Sequence, residues 1–127
     1  MVLFTRRSKR KQTGKRYVEN RKKKRRNLGG IQKLCTPGED QIIITRRRGA
    51  NKVSSVVHTQ YAVVNVTPTT KKKAKIKIVK DNPASKHFVR INAITKGAVV
   101  DSDIGLIKVT SRPSKHGVVN AVLVEKK

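Results

Sequence analysis

The sequence predicts an all-β protein: a small barrel of six to eight short strands with an extended basic N-terminal arm. Three observations carry this prediction. From Gln41 onward Val, Ile and Thr dominate, and these β-branched residues fit a pleated surface while losing rotamer freedom in helices. Turn-forming Pro, Asn and Gly recur at short intervals, and no interval between them holds a 3.6-residue apolar period of helical length. Before Gln41 apolar residues are few and no period is sustained. Residues 1–40 are therefore read as the arm and 41–127 as the barrel body.

Taken in order, the arm carries one candidate helix, over roughly 16–28, ended by Gly29-Gly30. The six consecutive cations Arg21 to Arg26 oppose it, so it is expected when phosphate neutralises them. In the body, Gln41–Arg47 starts apolar with Ile42-Ile43-Ile44. Val53–His58 and Tyr61–Val66 follow around a bend at Thr59-Gln60. Lys73–Val79 alternates most clearly, with Lys73, Lys75 and Lys77 facing out and Ala74, Ile76 and Ile78 facing in. His87–Ile94 is mixed, and Gly97–Val100 is short and apolar. Ile104–Thr110 and Gly117–Val124 flank the turn-rich Ser111–His116 and read as a hairpin. Asp101 and Asp103, two residues apart before Ile104-Gly105, read as a turn. A closed barrel is attractive for these strands because it hides sheet edges.

The charge narrows the function. The chain of 127 residues holds 32 Lys or Arg against 7 Asp or Glu, a net charge of +25. Such repulsion opposes a compact chain, and a polyanion relieves it; nucleic acid is the first candidate and an anionic membrane the second. Residues 1–52 carry 18 basic against 3 acidic residues, and 53–127 carry 14 against 4. Ten of the twelve arginines lie in residues 1–52. Arginine forks grip phosphate with paired hydrogen bonds, whereas lysine acts as a point charge. The first part reads as a gripping surface and the second as a body with a basic coat.

Other classes fit poorly. No apolar run is long enough to span a membrane, and Met1 to Lys11 does not develop the apolar segment of a secretory signal. Asn65-Val66-Thr67 matches a glycosylation triplet, which without such a signal reads as chance. The single cysteine, Cys35, excludes an internal disulfide framework and points to a reducing, intracellular compartment. His58, His87 and His116 lack metal-ligand spacing, Cys35 has no nearby histidine to activate it, and Gly29-Gly30 lacks the lysine and spacing of a phosphate loop. No enzyme, metal, cofactor or small-molecule substrate is expected. Four aromatics, Phe4, Tyr17, Tyr61 and Phe88, do not interleave with the cations, which disfavours a base-stacking single-strand module.

Two stretches carry a resemblance. One runs Asn82-Pro83-Ala84-Ser85-Lys86-His87-Phe88-Val89-Arg90 and on through Ile94-Thr95-Lys96-Gly97-Ala98. The other runs Val109-Thr110-Ser111-Arg112-Pro113 and on through Gly117-Val118-Val119-Asn120-Ala121-Val122-Leu123. Together they resemble the C-terminal body of the small-subunit ribosomal protein eight of archaea and eukaryotes, a family distinct from the bacterial protein of that number. The short archaeal members end just after this hairpin. Arg7-Ser8-Lys9-Arg10-Lys11 and Thr13-Gly14 are similar to the family's basic arm. Arg46-Arg47-Arg48-Gly49-Ala50-Asn51-Lys52 resembles a family turn that usually reads Arg-Gly-Gly-Asn, with Ala50 in place of the second glycine. A positive φ there would strain Ala50. Ser54 and Ser55 stand where the family tends to be more basic. The resemblance implies a structural, cytoplasmic ribosomal protein bound to 16S-type rRNA among neighbouring small-subunit proteins.

The residues expected to bind rRNA fall into four groups. The arm supplies Arg6, Arg7, Lys9, Arg10, Lys11, Lys15, Arg16, Arg21, Lys22, Lys23, Lys24, Arg25 and Arg26. The turn supplies Arg46, Arg47, Arg48, Asn51 and Lys52, where a bend can aim several guanidiniums and backbone N–H groups at one phosphate cluster. Lys71, Lys72 and Lys73 form the third group, and a solvated face that discourages edge pairing accounts for them equally well. Arg112, rigid beside Pro113, is the fourth and fits RNA or protein. Arg90 fits these roles or an ion pair with Asp101 or Asp103. The charge alone also fits a DNA-compacting chromatin protein, which the two family-like stretches do not.

Overall fold

The structure, a computed structural model, describes residues 7–30 and 32–126. The chain divides into two compact units, residues 1–32 and residues 33–127. The second unit thus takes in residues 33–40. Cys35 is the reason: it is 1% exposed, sits in the hydrophobic core, and its carbonyl accepts from the Ile94 N–H at 2.7 Å.

In residues 33–127 the strands are β1 (Thr36–Pro37), β2 (Gln41–Arg46), β3 (Lys52–Thr59), β4 (Tyr61–Asn65), β5 (Lys71–Asp81), β6 (Val99–Ser102), β7 (Gly105–Val109) and β8 (Asn120–Lys126). Two short helices interrupt them, α1 (Lys86–Arg90) and α2 (Pro113–His116). Strands β4 to β8 form a closed barrel, while β1, β3 and β2 form a separate three-stranded sheet in that order. The barrel is antiparallel from β4 round to β8, and β8 closes it by pairing parallel to β4, Val63 opposite Asn120.

Barrel width dictates the core. Five strands enclose little space, so the interior is filled by small and β-branched side chains. Ala62, Val64, Ala74, Val100, Ile107, Val109 and Ala121 are all at most 1% exposed. Strand β5 serves two neighbours: its first half pairs with β4 and its second with β6, with register shifts between Ile76 and Ile78 and between Val79 and Asp81. A bulge inverts the alternation beyond it. Ile78, expected inside, therefore points out at 57% exposure, and Val79 turns in.

The expected strand over His87–Ile94 is instead helix α1 and its exit. Ser85 caps it, its Oγ accepting from the His87 N–H at 3.2 Å, which satisfies a helix N–H that a strand would have spent on a neighbour. The family-like stretch before it is organised by Asn82, which is 4% exposed. Its Nδ2 donates to the Ala93 carbonyl at 3.1 Å, and its Oδ1 accepts from the Ala84 N–H at 3.1 Å. Buried polar groups must find such partners. In the last hairpin β7 pairs with β8 as expected, and Ser111 ties its ends, donating to the Val118 carbonyl and accepting from the Asn120 N–H, both at 2.9 Å. The Asp103-Ile104 turn joins β6 to β7. Asp103 serves β5, its Oδ1 accepting from the Lys75 N–H at 3.1 Å.

Candidate nucleic-acid interface

Residues 7–30 hold no α-helix. Over residues 16–28, where a helix is expected when phosphate neutralises the cations, the structure has one 3₁₀ turn, Arg25–Asn27. Like charges three and four apart within Arg21 to Arg26 repel one another along a helix face, which disfavours a helix there. Order instead appears earlier, as a tight antiparallel turn. The Lys11 N–H donates to the Lys15 carbonyl at 2.8 Å, and the Tyr17 N–H to the Lys9 carbonyl at 2.9 Å. Arg10 and Arg16 pair as an isolated antiparallel bridge, and Arg10 Nη1 donates to the Gly14 carbonyl at 3.0 Å.

Tyr17 is the packing centre of this turn, a role the sequence reading did not assign. The Arg7 guanidinium stacks 3.7 Å from the ring centroid, and Lys11 Nζ lies 5.5 Å from it. A cation over an aromatic face is attracted by the ring quadrupole. A lone aromatic inside a basic run was the available signal. The result is a small loop carrying Arg7, Lys9, Arg10, Lys11, Lys15 and Arg16, all exposed. Like charges opposite one another, as at Arg10 and Arg16, destabilise a ladder. An anion between them reverses the sign.

The second cluster sits on the loop joining β2 to β3. Arg46 pairs with Lys52 at its base, and the Arg47 N–H donates to the Asn51 carbonyl at 2.7 Å. Asn51 Nδ2 donates to the Arg48 carbonyl at 3.3 Å, so Asn51 shapes the loop as well as facing out. Gly49 and Ala50 both adopt positive φ, 69° and 61°. Reversing the chain over five residues requires these two left-handed residues in succession. Arg46, Arg47, Arg48 and Lys52 are exposed around it.

Helix α2 stands beside the same strand. Gly117, with φ 70°, ends the helix, and a Cβ there would lie 2.8 Å from the Ser54 Cβ. Ser54 is two residues along β3 from Lys52. The absence of a Cβ at Gly117 leaves the room that the Ser54 side chain occupies, so α2 and β3 approach closely here. Exposed Arg112 precedes α2, its N–H donating to His116 Nδ1 at 3.1 Å. Lys71, Lys72 and Lys73 begin β5, exposed, opposite Asn65, Val64 and Val63. Lys73 Nζ lies 4.0 Å from the Tyr61 ring centroid, so this edge carries one cation–π pair. Tyr61 is 37% exposed and packs at the barrel's outer edge, whereas Phe88 is half-buried on α1.

Among the expected contact residues, Arg6 lies outside the described residues. Every other one is exposed, including Arg21, Lys22, Lys23, Lys24, Arg25 and Arg26. Among the described residues no cluster of His, Cys, Asp and Glu could hold a metal ion, and no helix is long and apolar enough to cross a membrane.

The described residues thus define a small basic β-barrel protein: residues 33–126 form the barrel with its additional sheet and an Arg-rich loop, and residues 7–30 carry a cationic turn. The comparisons give the class a family. The model of the ribosomal protein S8e family matches residues 5–124, and the chain belongs to that family, whose members are structural proteins and not enzymes. It is 40% identical over 120 residues to a small ribosomal subunit protein eS8 of Methanospirillum hungatei, covering 94% of this chain and 96% of the relative. It is 39% identical over 126 residues to the protein of that name in Methanococcus aeolicus, covering 98% of each. With that of Nanoarchaeum equitans the identity is 40% over 116 residues, covering 89% and 90%.

Proposed function

We propose that the chain is a structural component of the small ribosomal subunit in the cytoplasm. It binds 16S-type rRNA through phosphate contacts, beside neighbouring small-subunit proteins. The observation that carries the contact mode is the basic turn of residues 9–17. It sets Arg10 against Arg16 on opposing limbs, an arrangement whose repulsion a phosphate between them turns into attraction. The Arg-rich β2–β3 loop offers a second grip of the same chemistry. A-form RNA has a deep, narrow major groove that side chains read poorly, so these elements engage backbone and shape more than base sequence. The relatives' name, small ribosomal subunit protein eS8, supports the setting.

Salt dependence tests it. Each neutralised phosphate releases condensed counterions, giving a log–log slope of roughly −0.7 to −0.9 per contact. Affinity of the full chain for small-subunit rRNA fragments should fall steeply between low and moderate salt, and a flat response would refute the mechanism. Deleting residues 1–30, or replacing Arg10 and Arg16 together by Gln, should weaken binding more than neutralising Lys71, Lys72 and Lys73. Equal or tighter binding to duplex DNA of matched length would favour chromatin compaction instead.

A further inference from the structure

Strand β2 is an edge. It pairs with β3 on one side and, among the described residues, with no strand on the other. Its three central residues are exposed isoleucines: Ile42 at 55%, Ile43 at 42% and Ile44 at 67%. Soluble proteins usually blunt such an edge with charge or proline, because its free N–H and C=O groups recruit other strands. By register Ile42 stands opposite Val56 and Ile44 opposite Ser54, so these two share one face and Ile43 occupies the other.

The Ile42 side opens onto a groove of about 340 Å³ running to the barrel. Tyr61 and Val63, exposed at 37% and 36%, line it with Ile42, and Lys71, Lys72 and Lys73 add three positive charges. Asp40, the acid in the lining, keeps its charge: its Oδ1 accepts from Thr59 Oγ1 and the Gln60 N–H, both at 2.9 Å, and Lys73 opposes that charge, so Lys71 and Lys72 remain as the cations without an acid beside them in the lining. The groove is therefore apolar with a cationic margin, beside an unpaired strand edge.

Charge complementarity chooses the occupant. A second copy carries +25 and this chain's own arm is also strongly basic, so both are repelled by the lysines. RNA satisfies the lysines but leaves the isoleucines and the strand edge without partners. An extended polypeptide offers a backbone for the edge, apolar side chains for Ile42 and Val63, and carboxylates for the lysines. We infer that this groove and the β2 edge bind an extended segment of another protein in which acidic and apolar side chains alternate.

The test uses the full chain and defined probes: a ten-residue peptide alternating Glu and Val, one alternating Glu and Ser, one alternating Lys and Val, and a ten-nucleotide oligouridylate. Fluorescence anisotropy reads affinity, and backbone amide shifts of Ile42–Ile44 and Val63 read location. The Glu–Val peptide should bind there, the Glu–Ser peptide about tenfold more weakly, and the Lys–Val peptide not at all. Ile42→Ser, at a position more than half exposed, should weaken the Glu–Val peptide about tenfold while leaving rRNA affinity unchanged. Val63→Thr keeps the β-branched shape and Lys72→Glu reverses one rim charge, and each should weaken it too. No binding by the Glu–Val peptide, equal binding by the Glu–Ser peptide, insensitivity to Ile42→Ser, or displacement by oligouridylate would each overturn the inference. The peptide affinities stand apart from the rRNA reading; the unchanged rRNA affinity of Ile42→Ser alone presupposes it.

Discussion

Ala50 holds a backbone conformation that alanine resists, and removing its side chain should stabilise the protein. Its φ of 61° follows Gly49 at 69° in the loop that presents Arg46, Arg47 and Arg48. A left-handed conformation costs an L-residue roughly 1–2 kcal/mol. Glycine avoids that cost but loses about 0.4–1 kcal/mol more entropy on folding. Ala50→Gly should therefore gain about 0.5–1 kcal/mol. The reverse change next door supplies the control. A Cβ at Gly49 meets nothing closer than the Asn51 Nδ2 at 3.8 Å, so Gly49→Ala tests conformation without a clash. It should lose a similar amount, about 0.5–1 kcal/mol. For a body of this size each kcal/mol moves the melting temperature by about 4–8 °C. Thermal unfolding followed by circular dichroism should show shifts of opposite sign, with rRNA affinity of Ala50→Gly unchanged because the arginines keep their places. Destabilisation by Ala50→Gly, or shifts of the same sign at both positions, would refute the reasoning.

Three further outcomes follow from particular contacts. Gly117→Ala should cost about 2–4 kcal/mol, combining left-handed strain with overpacking against Ser54, and Ser54→Gly should recover the steric part in a double-mutant cycle measured by denaturant titration; additive effects would remove the proposed clash. Burial pushes the Cys35 thiol up to about 12, so a thiol reagent at neutral pH should label it at the rate of unfolding and not faster. Asp40 is held below the ordinary aspartate value of 3.8, first by the hydrogen bond from the Gln60 N–H and then by that from Thr59. A depressed carboxylate stabilises the fold above its unfolded pKa and loses that contribution as pH falls through the lower folded value. The stability difference between the wild type and Asp40→Ala should hold from neutral pH to about pH 4 and shrink below it; a difference constant down to about pH 2 would contradict this linkage.

Much of the body is legible in the chain because short strands announce themselves through β-branched runs and turn residues. Gln41–Arg47, Tyr61–Val66 and Ile104–Thr110 predict β2, β4 and β7 within a residue or so. His87–Ile94 misleads because its apolar residues fit a strand as well as a helix. The deciding feature is one hydroxyl, the Ser85 cap. Ile78 misleads for another reason: alternation assumes an unbroken ladder, and the bulge that inverts it arises from pairing with β6, far along the chain.

The interface divides in the same way. Sequence by itself determined that the protein is basic, β-rich and charged in two chemically different portions, because composition and local pattern are properties of neighbours along the chain. It also flagged Ala50 as a residue out of keeping with its turn. Tertiary structure decided what depends on distant partners. It set Arg7 on Tyr17, packed Gly117 on Ser54, closed the barrel through β4 and β8, and left Ile42 beside Lys71, Lys72 and Lys73. Arg7 meets Tyr17 through the turn of residues 9–17; the other contacts join residues so far apart in sequence that no local period encodes them, and only the closed barrel and its appended sheet bring them together.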